Sequence, residues 1–405
     1  MKVAIIGSAL SGNKGAAAML ESSVQHLTRA DPSTRVVLLS VYPRSDAEQN
    51  TFANVRVLDA SPIRLGVVIN GAALLHRLLP PLRSRLEAAV PEVGALARAD
   101  VLLDEGGITF VDGRGKYLIY NVATLLPALF VGTPVVKIAQ ALGPFTEPLN
   151  RAAARALLPR MAAIVARGAV TRSHLDGLGL TNVVDGADLA FTLEVRPEED
   201  AAANERAGGF FDDGGVVGFS PSVVLAKSAA ARGEDYVSDV VAQIDYVTGE
   251  LGRKVLLVAH SARGHTDKTH NNDLPLCREI YARLADKDRV LFPDAEVPSQ
   301  ELRALIGRSE AFVASRFHAM VSALATGVPV LVVGWSHKYR EVLDMFGLAE
   351  WAVPHEELTT DGFRGKVQGL LDQRDEVAAA IASALPAVQA RALAQIDLVR
   401  DIAGR

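Results

Sequence analysis

Cysteine is almost missing: Cys277 stands alone among 405 residues. That excludes an internal disulfide and fits a reducing compartment. Aromatic residues are sparse at 5%, and there is no excess of positive charge, the formal net charge being −5. A general nucleic-acid binder carries the opposite balance, so no nucleic-acid partner is expected. No apolar run is expected to reach the length of a membrane span. Nor does the start read as a secretory signal. "MKVAIIGSALSGNKG" breaks from a short apolar run into Gly, Ser and Asn, as a first strand does. Metal-ligand spacing is also missing. His260, His265 and His270 recur every five residues, which does not place them on one helical face, so no metal is expected. What these absences leave is a globular protein, expected to be cytoplasmic.

Apolar runs alternate with helical patterns along the whole chain. Strands are expected at 2–7, 35–41, 55–60, 100–105, 134–140, 162–167 and 182–186, then at 216–222, 254–260, 289–294, 311–315 and 328–334. Short β-branched runs separated by helices indicate parallel sheets. Between the two arrays, "RPEEDAAANERAGGFFDDGG" (196–215) breaks the rhythm with charge and glycine and reads as a linker. The expected organisation is an α/β protein of two Rossmann-like lobes, 1–195 and 216–374, followed by an Ala-rich helix over 375–405. Ligands of such sheets bind beyond the carboxyl ends of the strands, which for facing lobes is an interdomain cleft.

Four stretches carry polar chemistry at expected strand ends. "GSALSGNKGAAAM" (7–19) fails both the phosphate-loop and the dinucleotide patterns. It keeps a small-residue turn around Asn13 and Gly15 that lets a ligand approach backbone N–H groups. "LLDEGGITFVD" (102–112) sets Glu105 and Asp112 around a glycine pair, as bases or as solvated loop acids. In "HSARGHTDKTHNND" (260–273), His260 lies nearest a strand end and within reach of a ligand there. "ASRFHAMVSALATGVPVLVVG" (314–334) reads as strand, helix and strand, with Ser315 as N-cap and the helix running from about Arg316 to Thr326. Free N–H groups, a planar cation at Arg316 and a proton-exchanging group at His318 together describe an anion site with an acid/base attached. The bland alternative is a structurally paired Arg316 and a core His318.

The chain resembles the polysaccharide pyruvyl transferase family. "SRFHAMVSALATGVPVLVVGWSHKYREVLDMFGL" is similar to its C-terminal signature, and "GSALSGNKGAAAM" to its opening N-x-G turn. "ADVLLDEGGITFVD", "QALGPF" (140–145) and "VARGAVTRSHLDGLGL" (165–180) resemble further segments in the family's order. Glu105 stands where the family usually has a third glycine, and Gly168 where an acid follows its arginine. The resemblance implies a GT-B-like fold and transfer of the pyruvyl group of phosphoenolpyruvate onto sugar hydroxyls as a ketal, with no cofactor. By the match, Arg316 and Arg167 would hold the donor, with Lys338 and Ser315 beside it and His318 as acid. Asp112 and Glu105 would serve the acceptor hydroxyls, and Asn13, Gly15, Gln140 and His260 would line the cleft. A lipid-linked acceptor sugar is among those the resemblance allows, and a homo-oligomer is also open. Two other readings stand beside it: a nucleotide-sugar glycosyltransferase with Glu341 on the ribose, and a non-catalytic sugar or anion binder.

The stretch 61–90 is apolar and basic, with Arg64, His76, Arg77, Arg83 and Arg85 among leucines and Glu87 as its one acid. Pro80 and Pro81 divide it into two helices too short to span a bilayer. It reads either as an interfacial element at the inner face of the membrane or as an insertion packed on the lobe or at a dimer interface.

Overall fold

The β-branched runs form strands because both of their faces are covered. A computed structural model describes residues 1–263, 271–334 and 337–404, and among these thirteen strands form two wholly parallel sheets. The first holds β1 (Lys2–Ile6), β2 (Arg35–Ser40), β3 (Val55–Asp59), β4 (Val101–Asp104), β5 (Val135–Gln140), β6 (Ala163–Ala166) and β7 (Val183–Asp185), in the order β3-β2-β1-β4-β5-β6-β7. The second holds β8 (Val216–Ser220), β9 (Lys254–Leu257), β10 (Val290–Leu291), β11 (Ala311–Ala314), β12 (Val330–Gly334) and β13 (Ala352–Pro354), in the order β10-β9-β8-β11-β12-β13. In each sheet the chain starts in the middle, builds to one edge, then returns to build the other. This is the doubly wound order, whose reversal lies between β1 and β4 in one sheet and between β8 and β11 in the other. Two Rossmann-like α/β domains are thus present.

Twelve strands fall inside the expected runs, and β13 was not anticipated. The two compact units do not follow the expected boundaries. The first comprises Met1–Ser11, Met19–Leu189 and Gln389–Arg405, and the second Gly12–Ala18 and Ala190–Val388. The stretch 196–215 is not a linker. It contains helix Pro197–Ala207, packed on helix Ser299–Gly307 within the second unit. Two hydrogen-bonded contacts fix that packing: the Arg206 guanidinium on Glu301, and the Arg196 backbone N–H on Gln300 Oε1 at 3.1 Å. Its charges are therefore the solvent side of a helix that buries Ala203 and Ala207, rather than those of a linker.

Helix Arg374–Ala403 corrects another expectation, because it is long and apolar enough to cross a membrane by length and composition. The helix still has an inner side, where Val388, Ala392, Ile396 and Val399 are buried. Gln395 is buried with them, accepting from Ala139 N at 2.8 Å and donating to the Ala187 carbonyl at 2.7 Å. Such fixed polar contacts are those of a domain helix.

Candidate functional site

The second unit builds its site where β8 and β11 part. Each strand runs into a helix, Val223–Ala231 after β8 and Phe317–Ala325 after β11, so two sets of free N–H groups open at one switch point. Ser315 does not cap the second helix. Its N–H still donates to the Ser220 carbonyl at 3.0 Å, so the chain leaves the sheet one residue later and extended Arg316 takes the N-cap position. Ser315 Oγ accepts instead from the Tyr236 hydroxyl at 3.4 Å, and its carbonyl from the Tyr339 hydroxyl at 3.3 Å.

Arg316 is paired, and its partner is Asp273. Arg316 Nε donates to Asp273 Oδ2 at 2.8 Å, Nη2 donates to Oδ1, and Nη1 donates to Asn271 Oδ1 at 3.0 Å. The fully buried Asp273 carboxylate also accepts from the backbone N–H groups of Val223 at 2.9 Å and Ser261 at 3.0 Å. It therefore plugs the first of the two helix mouths and balances the arginine, whose pKa is raised because Asp273 outweighs the burial that would lower it. The pairing turns the Nε edge of Arg316 inward, and the N–H groups left over on Nη1 and Nη2 are those a ligand can use.

His318 is the second residue of the Phe317–Ala325 helix, in its first turn, partly exposed, with its ring edge-on to Phe317 at 5.1 Å. Gly15 of the second unit lies against it. A Cβ at position 15 would stand 2.0 Å from His318 Nδ1, so only glycine fits. Asn13 holds that turn, its Oδ1 accepting from Gly15 N at 3.1 Å. Between them Lys14 is buried, its Nζ 2.9 Å from Glu296 Oε1, which also accepts from Gly12 N at 2.8 Å. The Lys14 N–H donates to the His260 carbonyl at 3.2 Å. The His260 imidazole itself is buried, and its pKa lies well below the usual value, first through burial and then through the charges of His318, Arg316 and Arg303. His260 is thus neutral at pH 7 in a positive field. Lys338 Nζ lies 5.3 Å from the Phe317 ring centroid and 5.2 Å from that of Tyr339. His265 and His270 lie outside the described residues.

The first unit gathers carboxylates where β1 and β4 part. Glu105, just past β4, is buried, with Ser23 donating to its Oε1 at 2.5 Å. Its Oε2 is buried with no hydrogen-bond partner among the described residues. Burial pushes its pKa up to about 7 against the pull of Ser23, and the nearby Asp104 and Asp188 push the same way. Next to it Asp104 forms a buried ion pair with Lys137, and Gln140 Oε1 accepts from Thr109 Oγ1 at 2.6 Å. Arg167, expected on the donor, is buried in the first unit with its Nη1 2.9 Å from Asp188 Oδ2.

Asp112 is used by the fold. Its Oδ2 accepts from Thr146 N at 2.7 Å, Thr146 Oγ1 at 2.5 Å and Glu147 N at 3.2 Å, and its Oδ1 from Asn150 Nδ2 at 2.7 Å. Partial burial pushes its pKa up, but these hydrogen bonds outweigh it and hold the carboxyl below the usual range. A carboxylate so stabilised is a weaker base than a free one. Three site residues escaped the sequence reading: Asp273, Glu296 and Arg303, the last buried with Nη1 2.9 Å from the Leu193 carbonyl. A buried lysine in a small-residue turn was the available sign that an acid such as Glu296 must lie nearby.

Comparison with known proteins bears on both the fold and the site. The chain is 24% identical over 418 aligned residues to the amylovoran biosynthesis protein AmsJ of Erwinia amylovora, covering 95% of each. Among solved structures, it is similar to UDP-GlcNAc 2-epimerase from Neisseria meningitidis, with a TM-score of 0.64 and 12% identity over 99% of this chain and 100% of the other. It is also similar to the putative UDP-N-acetylglucosamine 2-epimerase from Listeria monocytogenes, with a TM-score of 0.62 and 13% identity over 98% and 94% of the two chains. At that identity the structures establish a shared GT-B-like fold and nothing of the chemistry. The family model for polysaccharide pyruvyl transferase matches residues 13–337, the span that holds the Gly15 turn, the β4 carboxylates and the Arg316–His318 helix mouth. This chain is a transferase of the polysaccharide pyruvyl transferase family.

Proposed function

We propose that the chain transfers the pyruvyl group of phosphoenolpyruvate onto two hydroxyls of a glycan, as a cyclic ketal, on the cytoplasmic side of the cell. The observation that carries the reading is the Phe317–Ala325 helix mouth, where the positive helix end, the outward N–H groups of Arg316 and the partly exposed His318 come together. A donor bearing both a phosphate and a carboxylate needs such a site, and a neutral sugar does not. The second unit would bind the donor through the outward N–H groups of Arg316, the helix N–H groups and Lys338. His318, set against Gly15, would protonate the donor's methylene carbon. The resulting oxocarbenium-like carbon accepts one hydroxyl, phosphate leaves, and a second hydroxyl closes the ring. Each hydroxyl gives up a proton, and Glu105 has the pKa to take one near neutral pH.

The test pairs binding with turnover. Phosphoenolpyruvate raises the melting temperature, a panel of UDP-sugars does not, and phosphate is released only with an acceptor glycan. Stabilisation by a UDP-sugar without phosphoenolpyruvate turnover would instead identify a nucleotide-sugar enzyme.

A further inference from the structure

The segment from Ile63 to Leu82 in the first unit is apolar on both its sides. One side is core: Leu65, Ile69, Ala72 and Ala73 are buried. The other carries Val67, Val68, Leu74, Leu75 and Leu78, spaced to recur on one helical face and open to solvent, and the turn Pro80–Leu82 adds exposed Leu82. Ile63 is 81% exposed, Val67 68% and Leu78 62%, where a solvent-facing helix normally carries lysine and glutamate. Helix Gly115–Val131 adds Ile119, 80% exposed, one turn before Ala123, whose carbonyl accepts from Asn70 Nδ2 at 3.0 Å. A continuous apolar face of this kind marks a contact surface.

Its charge is nearly all of one sign: Glu87 is its one acid, and it pairs with His76 at 3.0 Å and Arg98 at 3.3 Å. Residues 60–86 contain four arginines and no acid. Arg64 is paired with Glu92 at 2.9 Å, but the exposed Arg77, Arg83 and Arg85 have no ion-pair partner among the described residues. Beneath helix Arg83–Ala89 a groove of about 300 Å³ continues the pattern. Lys2 and Arg35 stand side by side on β1 and β2 in its lining, with Arg56 of β3 two positions further along beside Val37, and all three lack ion-pair partners among the described residues.

We propose that this face docks on an anionic bilayer surface, its leucines in the headgroup boundary and its arginines on lipid phosphates. A second copy of the chain fits less well. A two-fold interface would set this arginine-rich patch against itself, with Glu87 already paired to His76 and Arg98, at a repulsive cost. The proposal is independent of which donor the enzyme uses.

The test is flotation of the full chain with vesicles of phosphatidylglycerol and phosphatidylcholine, beside vesicles of phosphatidylcholine alone. The chain floats with the anionic vesicles at low salt and not with the neutral ones. Changing Arg77, Arg83 and Arg85 to Gln weakens partitioning about 100-fold, from the contribution of each basic residue near an anionic surface. Leu75→Ser with Leu78→Ser also releases the chain, and both variants keep the parent melting temperature because the altered side chains are exposed. A parent that stays at the bottom of the anionic gradient, or floats equally with neutral vesicles, overturns the proposal. So does a dimer in analytical ultracentrifugation that the leucine substitutions split into monomers.

Discussion

Glu105→Gln is the most direct probe of the buried carboxyl beside β4. Glutamine keeps the shape and the Ser23 hydrogen bond to an oxygen, and removes the charge that burial penalises. In the folded chain Glu105 titrates at about 7 rather than at its ordinary 4.5. Between those values the folded state holds a proton that the unfolded state has released, so stability falls as pH rises through the interval. The group's contribution is complete below about 4.5 and lost above about 7. At about 1.4 kcal/mol per pH unit, the loss amounts to about 3 kcal/mol between pH 4.5 and pH 8. Urea unfolding of parent and Glu105→Gln at pH 5 and pH 8 gives the double difference. The variant gains on the parent at pH 8 and matches it far more closely at pH 5, while pyruvyl transfer at pH 8 drops. If both proteins lose stability in parallel across that range, Glu105 is not a buried carboxyl of raised pKa, and its role as a base falls with it.

His318→Ala should lower turnover about 100-fold while leaving the melting temperature near the parent's, because the side chain is partly exposed; a normal rate returns it to a packing role. Gly15→Ala must displace the His318 ring or the Asn13 turn, at about 1–3 kcal/mol, and should abolish transfer, so a variant with parent-like kinetics would disprove the close contact. Asp273→Ala leaves Arg316 and two N–H groups without their acceptor, and denaturant unfolding should show a loss of about 3–5 kcal/mol.

The sheets were legible because a buried parallel strand must be an unbroken β-branched run, and "KVAII" or "VLVVG" can be little else. "AVP" (352–354) escaped because a three-residue edge strand containing proline shows no such run. Helix Pro197–Ala207 escaped for the opposite reason: its many charges and nearby glycines hid one narrow buried stripe, Ala203 and Ala207. The helix mouth at Arg316 and His318 was legible, since N–H groups, a cation and an imidazole at a strand end are local facts. The electrostatic partners were not. Asp273 lies 43 residues from Arg316, and Glu296 lies 282 from Lys14, so neither pairing leaves a trace in spacing. The hydrogen bonds on Asp112 were hidden for the same reason, their donors lying 34 to 38 residues away.

The Lys14–Glu296 pair also bears on how the chain is made. Residues 12 to 18 emerge from the ribosome early but complete the second unit, whose β8 to β13 are synthesised only after residue 215. The first unit in turn waits for Gln395, 256 residues beyond the Ala139 amide that it receives. Vectorial synthesis, which usually lets the leading domain fold before the next appears, here leaves both units incomplete until the last helix is free. Contacts of such separation are slow to close, so the nascent chain spends longer with bare sheet edges and depends more on chaperones than one whose units are consecutive. Dividing the gene near residue 190 should therefore yield two insoluble halves that recover only when refolded together.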